Sequence, residues 1–244
     1  MHRNLSIAAE RSLLGEIQRG LLAAVPILLG VVPFGLLLGA QAAQKGLSPF
    51  TLVSMTGLNF AGGSEFAAIA LWASPPHVLT IVLVSMLINS RHLLMGAAMT
   101  PALAHLPPRK ALLALFFMCD ESWAMSMADA ARRRAQGLPA FSAGYYTGVA
   151  GALWLVWVLS TGAGVVIGPV LGDITRWGFD MAFPAVFLVL LKGMWKGMRS
   201  ALPWLVSLIC AGATWHAFPD AAWFVPAGTA SGIVTILLLH RKSA

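Results

Sequence analysis

The sequence predicts an all-α, polytopic integral membrane protein, and three observations predict it. Only 10% of the 244 residues are charged while 58% are hydrophobic, against about 25% charged in soluble domains. Five stretches of 20 residues or more carry no Asp, Glu, Lys or Arg: 20–44, 66–90, 135–172, 200–219 and 221–240. A helix needs about 20 apolar residues to cross the hydrocarbon core. The runs are continuous rather than alternating, which points to helices and against a closed barrel.

Eight spans follow, roughly 20–43, 50–72, 77–99, 110–130, 142–165, 177–195, 200–217 and 221–240. Proline and glycine mark most of the short connections, "KGLSP", "SPPH", "HLPPRK", "RRRAQGLP" and "FPD". No large soluble domain fits between them. Residues 1–19 read as a polar, partly amphipathic lead along the inner surface, and 20–240 as one transmembrane domain. The lead lacks the compact apolar core of a cleavable signal peptide. The stretch 135–172 is too long for one crossing, and "STGAGVVIGPVLG" within it reads as a loop dipping into the membrane.

Charge sets the expected orientation. With the N-terminus inside, Arg3, Arg11, Arg19, Arg132, Arg133, Arg134, Lys192, Lys196, Arg199, Arg241 and Lys242 face the cytoplasm. Lys45, Arg109, Lys110 and Arg176 then face outward, and Arg91 is left inside a span. This is positive-inside sorting, so the formal charge of +7 calls for a lipid bilayer and no nucleic acid. Both termini are expected in the cytoplasm, in a plasma (inner) membrane. Trp72, Trp177, Trp195 and Trp223 sit near span ends as interfacial anchors. Cys119 and Cys210 lie in apolar spans and form no motif.

Spans 2 and 6 are the interrupted ones, the first by Gly62, Gly63 and Glu65, the second by Asp180 and Pro184. "LVSMLINSRH" in span 3 faintly echoes "LVSLICAGATWH" in span 7. A four-span duplication, with halves 20–134 and 140–240, would explain both; so would the resemblance of any two apolar sequences. Interrupted segments at matching positions point to a transporter binding site.

Ionisable residues inside spans default to function because hydrocarbon makes them costly. In "NFAGGSEF", Gly62 and Gly63 lower helix propensity by roughly 1 kcal/mol each. A break there frees backbone N–H groups at the start of a half-helix, which favours an anion. Asn59 and Ser64 add polar groups beside them. Glu65 is either protonated or faces a cation such as Arg91 or an ammonium group. A glycine-lined helix contact would explain the glycines but not the acid. Arg91 needs a water-filled cavity or a carboxylate partner, for which Asp120, Glu121, Glu65 and Asp180 are available. With Asn89 and His92 these form a net-neutral cluster suited to a zwitterionic solute or a proton relay; a static ion-pair network is the plainer reading. His92 and His216 are weaker candidates for proton transfer. No zinc motif or other metal site, and no cofactor motif, is present.

Taken together, "FAGGSEFAA", "NSRHLLMGAAM", "CDESWAM" and "WGFDMAFPAVF", in that order, resemble the AzlC family of branched-chain amino acid exporters. The resemblance runs from about residue 20 to beyond 190. It implies export of valine, leucine, isoleucine and similar solutes, a small AzlD-type membrane partner, and coupling to proton entry. Arg91, His92, Asp120, Glu121 and Asp180 match the family pattern. A glutamine often stands in that pattern where this chain has Glu65, which leaves the solute and the coupling open.

The expected function is therefore a secondary transporter, not an enzyme, with substrate-binding residues Asn59, Gly62, Gly63, Ser64, Glu65, Asp180 and Pro184. No nucleotide-binding loop is present to supply another driving force. An intramembrane serine hydrolase built on Ser64 and His216 is an alternative, weakened because Glu65 replaces the small residue expected after that serine. A channel, or a non-transporting subunit, is another; the polar residues are clustered rather than spread along a pore.

Overall fold

The computed structural model describes residues 12–171, 198–219 and 223–241, with positions 181, 188, 192, 195 and 197 between them. Every element among the described residues is a helix. The chain is an all-α polytopic membrane protein, and three of its helical segments are long and apolar enough to cross a bilayer: Leu13–Gln44, Val78–Leu103 and Ala143–Val170.

The first crossing helix, α1 (Leu13–Gln44), starts behind Ser12, whose hydroxyl accepts from the Gly15 amide at 3.1 Å. Residues 13–19, expected in the polar lead, are its first turns. It continues through Pro26 and Pro33. Proline is tolerated where neighbouring helices re-satisfy the freed carbonyl.

Closest to α1 lies α8 (Ala143–Leu171), running parallel to it. Gly20 meets Tyr145 and Val149, Gly35 meets Ser160, and Gly168 meets Ala40. A methyl group added at Gly35, Gly39 or Gly164 would run into the opposite helix. This is close packing through small residues, the usual helix contact in a membrane, where apolar burial alone gives little drive. It corrects the expected loop at "STGAGVVIGPVLG": the helix continues through Leu171 because Gly164 and Gly168 are contact residues facing α1.

Two further expectations are corrected. The stretch 50–72 is not one crossing. It forms α2 (Pro49–Asn59) and α3 (Gly63–Ala70), of 11 and 8 residues. At 1.5 Å per residue they reach only about 17 and 12 Å. Along α2, Val53 lies at Gly162 and Gly57 at Trp154, so it descends against α8. Along α3, Gly62 lies by Phe34, Phe66 by Leu37 and Ala40, and Ala70 by Lys45. The Lys45 ammonium donates to the Ala70 and Trp72 carbonyls at 3.4 Å. The segment thus enters and returns to the same end of the bundle. Crossing then passes to α4 (Val78–Asn89) and α5 (Arg91–Leu103), joined through Ser90.

The stretch 110–130 is likewise a hairpin, from the opposite end. It comprises α6 (Pro108–Phe116) and α7 (Asp120–Ala135). Ala114 accepts from the Tyr146 hydroxyl, and Phe117 meets Trp154 edge-on at 5.8 Å, so α6 climbs along α8. Asp129 returns to Arg19 and Arg133 to Glu16, so α7 descends again. This places Arg109 and Lys110 at the end that also carries Arg19 and Arg132–Arg134. Within residues 12–171 Lys45 alone stands at the other end, and Arg91 in the middle. The charge asymmetry is sharper than eight plain crossings gave.

Farther along, α9 (Met198–Ala217) and α10 (Phe224–Arg241) pair antiparallel, with Ser207 donating to the Gly228 carbonyl at 2.7 Å. The expected span 177–195, with Asp180 and Pro184, lies outside the described residues apart from a few positions. Leu21, Leu22, Val25, Leu29, Leu155 and Leu159 are exposed on the outer faces of α1 and α8, where lipid would cover them.

Candidate functional site

Three breaks in helix meet at mid-depth. The first, between α2 and α3, turns on Phe60 and Gly62, whose φ values are 47° and 52°. Gly62 combines that φ with ψ of −79°, a conformation glycine alone adopts without strain. The second is the step at Ser90, whose hydroxyl donates back to the Leu87 carbonyl at 2.7 Å. The third is the tip 117–119 between α6 and α7. There Ser122 caps the new helix by accepting from the Cys119 amide at 2.9 Å, and Asp120 and Glu121 occupy its first turn. Acids in a first turn complement the positive end of the helix dipole.

The N-terminal ends of α3, α5 and α7 therefore face one small cavity of about 50 Å³. Gly62 and Gly63 line it from the first break, Arg91 and His92 from the second, Cys119, Asp120 and Glu121 from the third; Phe34, Leu153 and Trp157 close it with apolar surface. Arg91 ties the parts together. Its Nη2 donates to the Ala61 carbonyl at 3.0 Å and pairs with Asp120 Oδ2 at 3.0 Å. So the carboxylate that meets Arg91 is Asp120, on the α6–α7 hairpin at the basic end (the inner hairpin), while the carbonyl it holds belongs to the α2–α3 hairpin at the Lys45 end (the outer hairpin). Arg91 Nε and Asn89 Oδ1 are buried without a partner. Buried polar atoms are normally satisfied, so unpaired ones call for an explanation. His92 places Nδ1 3.3 Å from the Asn89 carbonyl.

Glu65 stands behind this wall, 1% exposed. Its Oε1 accepts from the Ala61 amide at 3.2 Å and from Asn59 at 3.4 Å, and its Oε2 accepts from the Trp157 indole at 2.8 Å. The carboxylate thus reaches back to the chain entering its own helix, a capping arrangement, and fastens the break to α8. Asn59 also donates to Ser64 at 2.9 Å and accepts from Asn89 at 3.3 Å. Of the residues singled out in the sequence, Gly62, Gly63, Arg91, His92, Asp120 and Glu121 meet at the cavity. Asn59, Ser64, Glu65 and Asn89 form the hydrogen-bonded layer behind it. Asp180 and Pro184 lie outside the described residues.

Ser64 is fully buried and His216 is exposed on α9, so the two do not form a nucleophile–base pair as placed. Among the described residues no group of three or more His, Cys, Asp or Glu side chains is arranged to hold a metal. Trp157 was not legible as a site residue: it is one of nine tryptophans, with no local signal setting it apart from the interfacial ones. The break at 117–119 did leave a signal, the acidic pair followed by serine, which reads as a helix start.

Three relatives are membrane or transport proteins by name. The chain is 26% identical to the inner membrane protein YgaZ of Escherichia coli (strain K12) over 224 residues, covering 88% of this chain and 86% of that one. It is 26% identical to the branched-chain amino acid transport protein AzlC of Bacillus subtilis (strain 168) over 219 residues, covering 87% and 82%. A third relative, an uncharacterized membrane protein of Archaeoglobus fulgidus, is 26% identical over 183 residues, or 74% and 76%. No solved structure matches. The family model described as AzlC protein matches residues 26–171, more than half of the chain and a stretch that contains all three breaks. The chain belongs to the AzlC family.

Proposed function

We propose that the protein is the large subunit of a secondary transporter that exports small apolar amino acids of the branched-chain class, coupled to proton entry and working with a small AzlD-type membrane partner. The end bearing Arg19, Arg109, Lys110 and Arg132–Arg134 faces the cytoplasm in this reading, following positive-inside sorting. The observation that carries it is the arrangement around Arg91. A zwitterion needs donors for its carboxylate and an acid for its ammonium. Arg91 Nε and the amide end of α3 supply the first, and Asp120 and Glu121 the second, around one cavity. The name of the Bacillus relative supports the substrate class.

Small-molecule pockets usually measure roughly 300–1,000 Å³, so a cavity of about 50 Å³ corresponds to a closed state. A hairpin must move to admit the solute. The test is efflux of radiolabelled valine and leucine from preloaded proteoliposomes, with and without the partner and an imposed pH gradient. Saturable, gradient-dependent efflux, lost in Asp120→Asn, is the expected result. No efflux of either amino acid under any of these conditions overturns the substrate assignment.

A further inference from the structure

Both hairpins have an arm in apolar core, α6 packing with Met99, Leu103, Tyr146 and Ala150; the arm attached differently is α7, whose buried residues are Ser122, Ser126, Asp129 and Ala130. The outer hairpin is built into the core: Leu52 and Ile69 are fully buried, Thr56 meets Thr161 at 3.1 Å, and Trp154 donates to the Gly57 carbonyl at 2.9 Å. The inner hairpin's second arm, α7, is clipped to α1 and α8 by ions near its inner end. Arg19 donates to both oxygens of Asp129, at 2.6 and 3.0 Å, and to both oxygens of Glu16, at 2.7 and 3.2 Å. Its guanidinium lies 4.1 Å over the Tyr145 ring. Glu16 also accepts from Ser142 at 2.6 Å and from Arg133 at 3.3 Å. Asp129 is only 3% exposed.

The Arg19 side chain keeps 25% exposure, and a partly buried ion pair is a poor way to stabilise a static fold, because desolvation offsets much of its attraction. Such a pair suits a contact that must open. When it parts, both charges recover water, so closed and open states differ by less than if an apolar seam of the same area were split. The sequence of α7, "DESWAMSMADAARRRA", is polar enough to stand in water once released.

We infer that Arg19 and Asp129 are the latch of an inner gate: they hold the α6–α7 hairpin against α1 and α8, and their separation opens the central cavity to the basic end of the protein. This rests on the transporter reading, and both are positioning residues that act on the cavity through the hairpin. The tip of the same hairpin carries a reporter, Cys119, which lines the cavity and is 8% exposed.

In a Cys210→Ser background Cys119 is the one thiol left in the chain. A membrane-impermeant maleimide is added to right-side-out and to inverted membrane vesicles, so that each face is probed alone. In that parent, labelling is slow from both faces. Asp129→Asn and Arg19→Gln each raise the rate from the basic face by on the order of tenfold, and leave the other face unchanged. Arg19→Lys, which keeps the charge but cannot hold both oxygens of each carboxylate, falls between the parent and Arg19→Gln. An unchanged rate in both neutral variants overturns the latch. So does a rate raised equally from both faces, which reports a loosened structure. If Asp129→Asn does not insert, Arg19→Gln and Glu16→Gln decide the matter. Labelling needs no solute, so a failed efflux assay sinks the substrate reading and leaves this result standing.

Discussion

Trp157 on α8 donates its indole N–H to Glu65 Oε2 at 2.8 Å, and so joins the broken helix of the outer hairpin to the crossing helix beside it. The other carboxylate oxygen is taken by the Ala61 amide. A carboxylate can accept from both donors; an amide has a single acceptor oxygen. Glu65→Gln should therefore leave one donor facing an NH₂ group and cost about 1–3 kcal/mol. Trp157→Phe should cost a similar amount, and the double variant less than the sum. Thermal unfolding in detergent reads all three, and full additivity would mean that the two residues do not interact.

Glycine has two separate roles at the first break. Gly62 needs its positive φ, whereas an added Cβ at Gly63 would sit 3.7 Å from Arg91 and Ile88, in ordinary contact. Gly62→Ala should lower stability by about 1–3 kcal/mol. Gly63→Ala should be neutral or slightly stabilising, since alanine favours helix by up to about 1 kcal/mol. Equal losses in the two would show that the break is held by contacts rather than by conformation.

Along the α1–α8 seam, space rather than conformation is limiting. Gly39→Ala or Gly164→Ala should cost about 1–3 kcal/mol by overpacking, and Gly57→Ala, with neighbours at 3.7 Å, much less. The comparison is made by melting temperature in one detergent.

Hairpins and crossings predict different sidedness. With Cys119 and Cys210 replaced, single cysteines at Lys45, Ser74, Arg109 and Arg134 are labelled from one face at a time. Two hairpins require Lys45→Cys and Ser74→Cys to react from one face, and Arg109→Cys and Arg134→Cys from the other. Alternating reactivity along the chain would restore eight plain crossings.

The interruption at Gly62–Gly63 was legible because paired glycines, a serine and an acid have no reason to share an apolar run otherwise. Its direction was not legible. Twenty-odd apolar residues satisfy the length for one crossing and equally for two half-helices folded together, and only packing against α8 decides. The break at 117–119 contains no glycine or proline, so the usual punctuation was missing, although Asp120, Glu121 and Ser122 mark a helix start. In α8 the reverse holds: Gly162, Gly164 and Gly168 have the look of a loop, yet the last two lie in helix and contact α1. Arg91's partner was narrowed to four acids by composition; choosing Asp120 took the fold.

The bond between Glu65 and Trp157 has a consequence for how the chain is made. Its two ends are 92 residues apart. At the usual synthesis rate of about 5–20 residues per second, Trp157 leaves the ribosome roughly 5–20 s after Glu65. Through that interval the acid has Asn59 and the Ala61 amide to satisfy it but no indole, and α2 and α3 are each too short to be held in the bilayer as crossings. The outer hairpin is therefore a late structure, completed when α8 arrives, and a nascent chain stopped before residue 157 should keep Glu65 in contact with water.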